Sequence, residues 1–173
     1  MHIISKEIGI DYGHRVPLHQ SKCRNIHGHR GVVIAEITGG LFSSGPQSDM
    51  VLDYGFLKDL LMEYVDAYCD HGIILSIDDT KFISMAYDES ASLFVFSDWH
   101  AAVTASVQHS GFWAGNTAFG KTYIIAGAPT AENLAKHWFN RLKLPVENAT
   151  AGQATLSAVT VHETPTSVAV YRP

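Results

Sequence analysis

The chain has 173 residues, 46% hydrophobic and 17% charged, a balance that supports a buried core and excludes disorder as its main theme. Twelve Lys and Arg against 17 Asp and Glu give a formal charge of -5 at pH 7, so no basic field is available to hold a nucleic-acid backbone. No apolar run approaches the ~20 residues that span a bilayer, and the opening MHIISKEIGIDYGH lacks the apolar stretch of a secretory signal. The expectation is a cytoplasmic protein with neither membrane nor nucleic acid as partner.

From residue 2 to 12, Ile4, Lys6, Ile8, Ile10 and Tyr12 alternate on one face, the period of a strand. Residues 29–37 are rich in Val and Ile and stop at Thr38-Gly39-Gly40, predicting a second strand and a turn. A loop, FSSGPQSD, follows. Between residues 53 and 68, Phe56, Leu57, Leu60, Leu61, Tyr64, Val65 and Tyr68 recur at spacings of three and four, an amphipathic helix. Residues 72–128 carry weaker signals. Strands are expected at 92–96 and 121–126, separated by the Gly, Ala and aromatic stretch HSGFWAGNTAFGK. A second helix starts at Thr130, which can cap it, with Glu132 in its first turn. It presents Leu134, Trp138 and Leu142 and is expected to end at Leu144-Pro145. Residues 154–163 and 167–171 are two β-branched runs that form a hairpin around Thr164-Pro165-Thr166. The order implies one α+β domain over residues 1–173, with antiparallel strand pairs and helices on one face.

The densest chemical signal is KCRNIHGH, residues 22–29. His27 and His29 are two apart in a strand, so both imidazoles project to one side, with Gly28 leaving room between them. His14 lands beside them if the first two strands pair. Three His with an open fourth position suit a catalytic zinc, and the same pattern fits strand-end histidines with ordinary hydrogen bonds. Cys23 reads as a fourth ligand, a small packed residue, or a thiol acting as base or nucleophile. Asp70-His71 places a carboxylate beside an imidazole, as in an oriented acid or base or a polar surface pair. Glu163 closes a strand, where a carboxylate either faces solvent or grips a guanidine-like donor pair. Cys69, one of only two cysteines, reads as packing. On these residues alone, a metal-dependent hydrolase is the expected activity.

Taken together, the motifs resemble the 6-pyruvoyl-tetrahydropterin synthase and 6-carboxytetrahydropterin synthase family. The matching pieces are GHR with His14, C-x3-HGH with Cys23, His27 and His29, MVLDY with Asp53, the Asp70-His71 pair, PTAENLA with Thr130 and Glu132, and SAVTVHET with Glu163 followed by AVYR. They cover residues 2–71 and 129–172 in the family's order. The resemblance implies the tunnelling fold, a four-stranded antiparallel sheet with two helices on one face, assembling through sheet edges into a trimer or hexamer. It implies Zn2+ held by His14, His27 and His29, and a catalytic thiol at Cys23. It also implies catalytic Asp70 and His71, and a pterin-anchoring Glu163 that joins the proton relay, with Thr130 and Glu132 near the pterin pocket.

The three residues between Cys23 and His27 resemble the bacterial 6-carboxytetrahydropterin synthases of queuosine and 7-deazaguanine synthesis. The implied reaction converts 7,8-dihydroneopterin triphosphate to 6-carboxy-5,6,7,8-tetrahydropterin, acetaldehyde and triphosphate. The alternatives are the 6-pyruvoyl sister activity and a non-catalytic zinc- and pterin-binding homologue. Lys22, Arg24 and Arg30 are candidates for the triphosphate by proximity. Three departures from the family pattern stand out: Gly31 where an aromatic is common, Asp49 where Gly usually precedes Met50, and the long insertion 72–128, expected as an elaborated loop or hairpin or as a lid or subunit contact.

Overall fold

The computed structural model describes residues 1–90 and 92–173. Strand β1 (His2–His14) and strand β2 (His27–Gly39) pair antiparallel along their whole length, with Tyr12 opposite His29 and His14 opposite His27. Strand β6 (Ala154–Thr164) lies against β2, and β7 (Ser167–Tyr171) against β6, both antiparallel. These four strands are the expected hairpins. Helix α1 (Tyr54–Leu61) continues through a π-helical turn (Met62–Asp66) into α2 (Ala67–Cys69). Asp53 caps α1 by accepting the Gly55 N–H at 2.6 Å.

The sheet has seven strands, where four were expected. Residues 72–128 supply β3 (Gly72–Ser76), α3 (Thr80–Ala86), α4 (Phe96–Ser110), β4 (Phe112–Thr117) and β5 (Gly120–Ile125), giving the order β4-β5-β3-β1-β2-β6-β7. β3 runs parallel to both β1 and β5. Residues 72–128 are therefore an extension of the sheet and not an irregular loop. Its strands are covered on both faces: Ile74, Tyr123 and Ile125 join the main core, while Leu75 and Ile124 pack with Ile83, Val103 and Val107 of α3 and α4. Arg15, directly after β1, ties this layer down through an ion pair with Asp79 at 3.2 Å and by lying 4.2 Å over the Phe82 ring.

The expected strand at 121–126 falls on β5, but residues 92–96 form no strand. Ser92–Val95 is irregular and Phe96 opens α4, because this β-prone segment lies exposed, with Leu93 97% accessible and no strand beside it. HSGFWAGNTAFGK holds the end of α4, all of β4 and the turn into β5.

Helix α5 (Ala131–Ala149) starts as expected, with Thr130 accepting the Asn133 N–H at 3.3 Å, but it runs through Pro145. Proline removes one bond to the carbonyl four residues back, and the turn beyond it survives because Val146 is fully buried and the Thr150 hydroxyl bonds its carbonyl at 2.9 Å. Leu134, Trp138, Leu142 and Val146 of α5 pack with Leu57, Leu61 and Val65 against Ile8, Ile10, Val33, Ala35 and Ile37 of the sheet. Restoring the missing N–H by Pro145→Ala is expected to raise the unfolding free energy by about 1–3 kcal/mol in urea denaturation, with activity unchanged.

Candidate active site

The β1–β2 register builds a histidine cluster. His14, His27 and His29 all project from the helix-covered face, and their nearest ring nitrogens lie within 4.8 Å of one another. Two rings are oriented by carbonyls, which can only accept. His14 Nδ1–H donates to Pro129 at 2.7 Å, and His27 Nδ1–H donates to Asn25 at 2.9 Å. That tautomer leaves Nε2 with a free lone pair while a carbonyl fixes the ring through Nδ1, as in metal-binding imidazoles. The Nε2 atoms of His14 and His29 are buried and without a hydrogen-bond partner. Two buried, unsatisfied ring nitrogens converging with a third imidazole fit a zinc ion and would otherwise be left uncompensated. Burial holds His14 below its ordinary pKa, reinforced by His27 and His29 and opposed by the Pro129 carbonyl and Glu163.

A cavity of about 230 Å³ adjoins His14 and is lined by Cys23, Thr130, Glu132 and Glu163 among others. Cys23 sits in a short helical turn (Lys22–Arg24) and is half-buried, its loop closed by Val16 N–H donating to the Cys23 carbonyl at 2.8 Å. Glu163 Oε1 is 3.6 Å from His14 Nε2 and 3.8 Å from His29 Nε2. The register between β6 and β7 shifts between His162 and Thr164, a bulge at the point where Glu163 turns toward the histidines. Thr130 and Glu132 enter through the first turn of α5. His19, which sequence reasoning did not single out, also lines this cavity, and its Nδ1 accepts the Ser21 N–H at 3.2 Å.

Asp70 and His71 are not in this cavity. They gather around Asp11, whose position in β1 puts its side chain on the face opposite the histidines. His71 Nδ1 bonds Asp70 Oδ2 at 2.7 Å, and the His71 side chain is 78% accessible. Burial raises the Asp70 pKa, but the Asp11 N–H, His71 and Lys121 outweigh it and hold the carboxyl below its usual range. Arg30 is on this same open face, paired with Asp11 at 2.7 Å, whereas Lys22 and Arg24 flank Cys23. Cys69 is fully buried, and burial pushes its thiol up to about 12, as suits a packing residue.

Two of the departures have physical explanations. A β-carbon at Gly31 would lie 2.9 Å from Tyr12 Cε1, so the Tyr12 ring fills the space that a side chain at 31 would take. Tyr12 is buried against His14 and His29, with ring centroids 5.3 and 6.0 Å away. Asp49 adopts φ 63°, the left-handed conformation that Gly accepts freely and Asp tolerates better than most residues.

A helix-backed mixed sheet carries three convergent imidazoles, a group that could hold a metal ion, beside a cavity lined by Cys23. The chain belongs to the 6-pyruvoyl tetrahydropterin synthase family, whose sequence profile matches residues 3–173. It is 29% identical over 169 residues to the 6-carboxy-5,6,7,8-tetrahydropterin synthase of Haemophilus influenzae, covering 98% of this chain and 97% of that one. It is 30% identical over 138 residues to the Rickettsia conorii protein of the same name, covering 80% and 78%. Among solved structures, an uncharacterized protein from Wolinella succinogenes superimposes with a TM-score of 0.69 at 22% identity, covering 99% of this chain and 97% of that one. The 6-pyruvoyl tetrahydropterin synthase of Caenorhabditis elegans gives 0.55 at 20%, covering 100% and 97%. Both share the fold. No helix among the described residues is long and apolar enough to cross a membrane.

If the three imidazoles hold zinc, His29→Ala is expected to lower the bound metal from about one per chain to a small fraction. Elemental analysis after dialysis against a weak chelator checks this.

Proposed function

We propose that this protein is a zinc-dependent 6-carboxytetrahydropterin synthase, converting 7,8-dihydroneopterin triphosphate and one water to 6-carboxy-5,6,7,8-tetrahydropterin, acetaldehyde and triphosphate. The carrying observation is the convergence of His14, His27 and His29, two with unsatisfied ring nitrogens, at the edge of a cavity that His14 lines together with Cys23 and Glu163. The names of the relatives support the same reading.

In this reading His14, His27 and His29 hold the zinc, which when bound supplies Lewis acidity to the oxygens of the substrate side chain. Glu163 accepts paired N–H bonds from the guanidine-like edge of the pterin, and Thr130 and Glu132 border the ring. Cys23 Sγ, on the cavity wall, takes a proton from the side-chain carbons. Asp70 orients His71 as the second acid and base through the 2.7 Å bond to Nδ1, which leaves Nε2 to exchange the proton. Because one chain carries Cys23 and His71 on opposite faces of the sheet, the dyad acting on a given substrate comes from a second copy, and the working unit is a homo-oligomer. Lys22 and Arg24, on either side of the thiol, take the triphosphate, while Arg30 is committed to Asp11. Residues 1–173 act as one domain, with 72–128 an addition to the compact family core.

Zinc-loaded protein incubated with 7,8-dihydroneopterin triphosphate, with products followed by mass spectrometry, is the test. The expected product is 6-carboxytetrahydropterin, lost on zinc chelation and reduced at least about 100-fold in Cys23→Ala, the scale of a removed acid or base. A 6-pyruvoyl product would identify the sister activity. Zinc retained without turnover would identify a binding homologue.

A further inference from the structure

The backbone that presents Asp70 and His71 is held from two sides. His71 has φ 55°, a left-handed conformation that a residue with a β-carbon keeps only when its surroundings enforce it. From the β1 side, Asp11 N–H donates to Asp70 Oδ1 at 2.8 Å and His71 N–H donates to the Asp11 carbonyl at 2.7 Å. From the other side comes Lys121, the second residue of β5. Its Nζ donates to the Asp70 carbonyl at 2.7 Å and lies 3.4 Å from the Asp66 carbonyl. Both acceptors belong to the end of the α1–α2 helical segment, where a cation is favoured, and the Asp66 carbonyl also accepts the Asp70 N–H at 2.9 Å.

This placement follows from strand register. β3 leaves the dyad directly and pairs in parallel with β5, Ile73 opposite Thr122, so Lys121 lies beside the corner at which the helix gives way to the strand. Gly72 permits the approach, since a β-carbon there would come within 3.1 Å of the Lys121 carbonyl and 3.3 Å of the Cys69 carbonyl.

We propose that Lys121 is a positioning residue for the Asp70–His71 pair: its ammonium clamps the Asp70 carbonyl and holds the corner in the conformation that keeps His71 Nδ1 on Asp70 Oδ2. The insertion thereby serves the site through β5 and does not only cover the sheet. This inference rests on the reading of Asp70 and His71 as the second acid and base.

The test compares Lys121→Met, Lys121→Arg and His71→Ala as zinc-loaded, assembled protein. With Lys121→Met, KM and zinc content stay within about two-fold while kcat falls about ten-fold or more, because a misaligned acid or base slows chemistry without weakening binding. Lys121→Arg, which can still donate to both carbonyls, restores kcat to within about three-fold of the starting enzyme. A Lys121→Met protein that is less abundant or melts earlier but keeps full kcat per bound zinc overturns the proposal and leaves the dyad's role intact. Full turnover by His71→Ala overturns both together.

Discussion

The candidate site depends first on the antiparallel register of β1 and β2. Setting Tyr12 opposite His29 and His14 opposite His27 places three imidazoles on one face, and a slip of one residue would send one strand's histidines to the other. The register is fixed by burial. Ile8, Ile10, Val33, Ala35 and Ile37 occupy the same face and pack under α1 and α5, so a slip would expose one strand's share of the core. The geometry of the histidine cluster and core stability are thus one constraint. β6 joins it, because Glu163 shares its face with Val159 and Val161, and the bulge beside it turns the carboxylate toward the cluster.

Alternation also separates the chemistry. Side chains that point toward α5 enter the histidine face, and those between them, Asp11 and Arg30, enter the open one. The Asp70–His71 pair is recruited to Asp11 and therefore to the open side. Residues 72–128 are tied to the rest of the fold by two arginines. Arg15 connects the residue after His14 to α3 through Asp79 and Phe82. Arg141 of α5 lies 3.9 Å over Phe112 of β4 and donates to the Tyr64 carbonyl and the Tyr123 hydroxyl at 2.9 and 2.8 Å.

Much of this was legible in the sequence. Alternating β1 and the Val- and Ile-rich β2 declared themselves, as did the Thr130 cap, because each has one buried face or one local hydrogen bond that composition records. β3 was not, since its Ile73, Ile74 and Leu75 are covered on both sides and show no period of two. Residues 92–96 misled for the opposite reason: their β propensity finds no neighbouring strand. Pro145 misled because the burial of Val146 outweighs a local break. The His14, His27 and His29 set was readable from two-residue spacing plus strand pairing. The side of the sheet taken by Asp70 and His71, and the approach of Lys121, depend on β3 and β5 and so lay beyond any local pattern.

On the proposed reading, each working site combines the thiol cavity of one copy with the dyad of another. The most direct test mixes Cys23→Ala and His71→Ala subunits, each inactive alone, by co-expression with distinct affinity tags and isolation of the doubly tagged assembly. Random pairing of the two kinds of subunit is expected to restore about a quarter of the unmodified turnover, because cavity and dyad are each intact in half the copies. Zinc-loaded mixed assemblies with no turnover would contradict the account and require both groups to act from one chain.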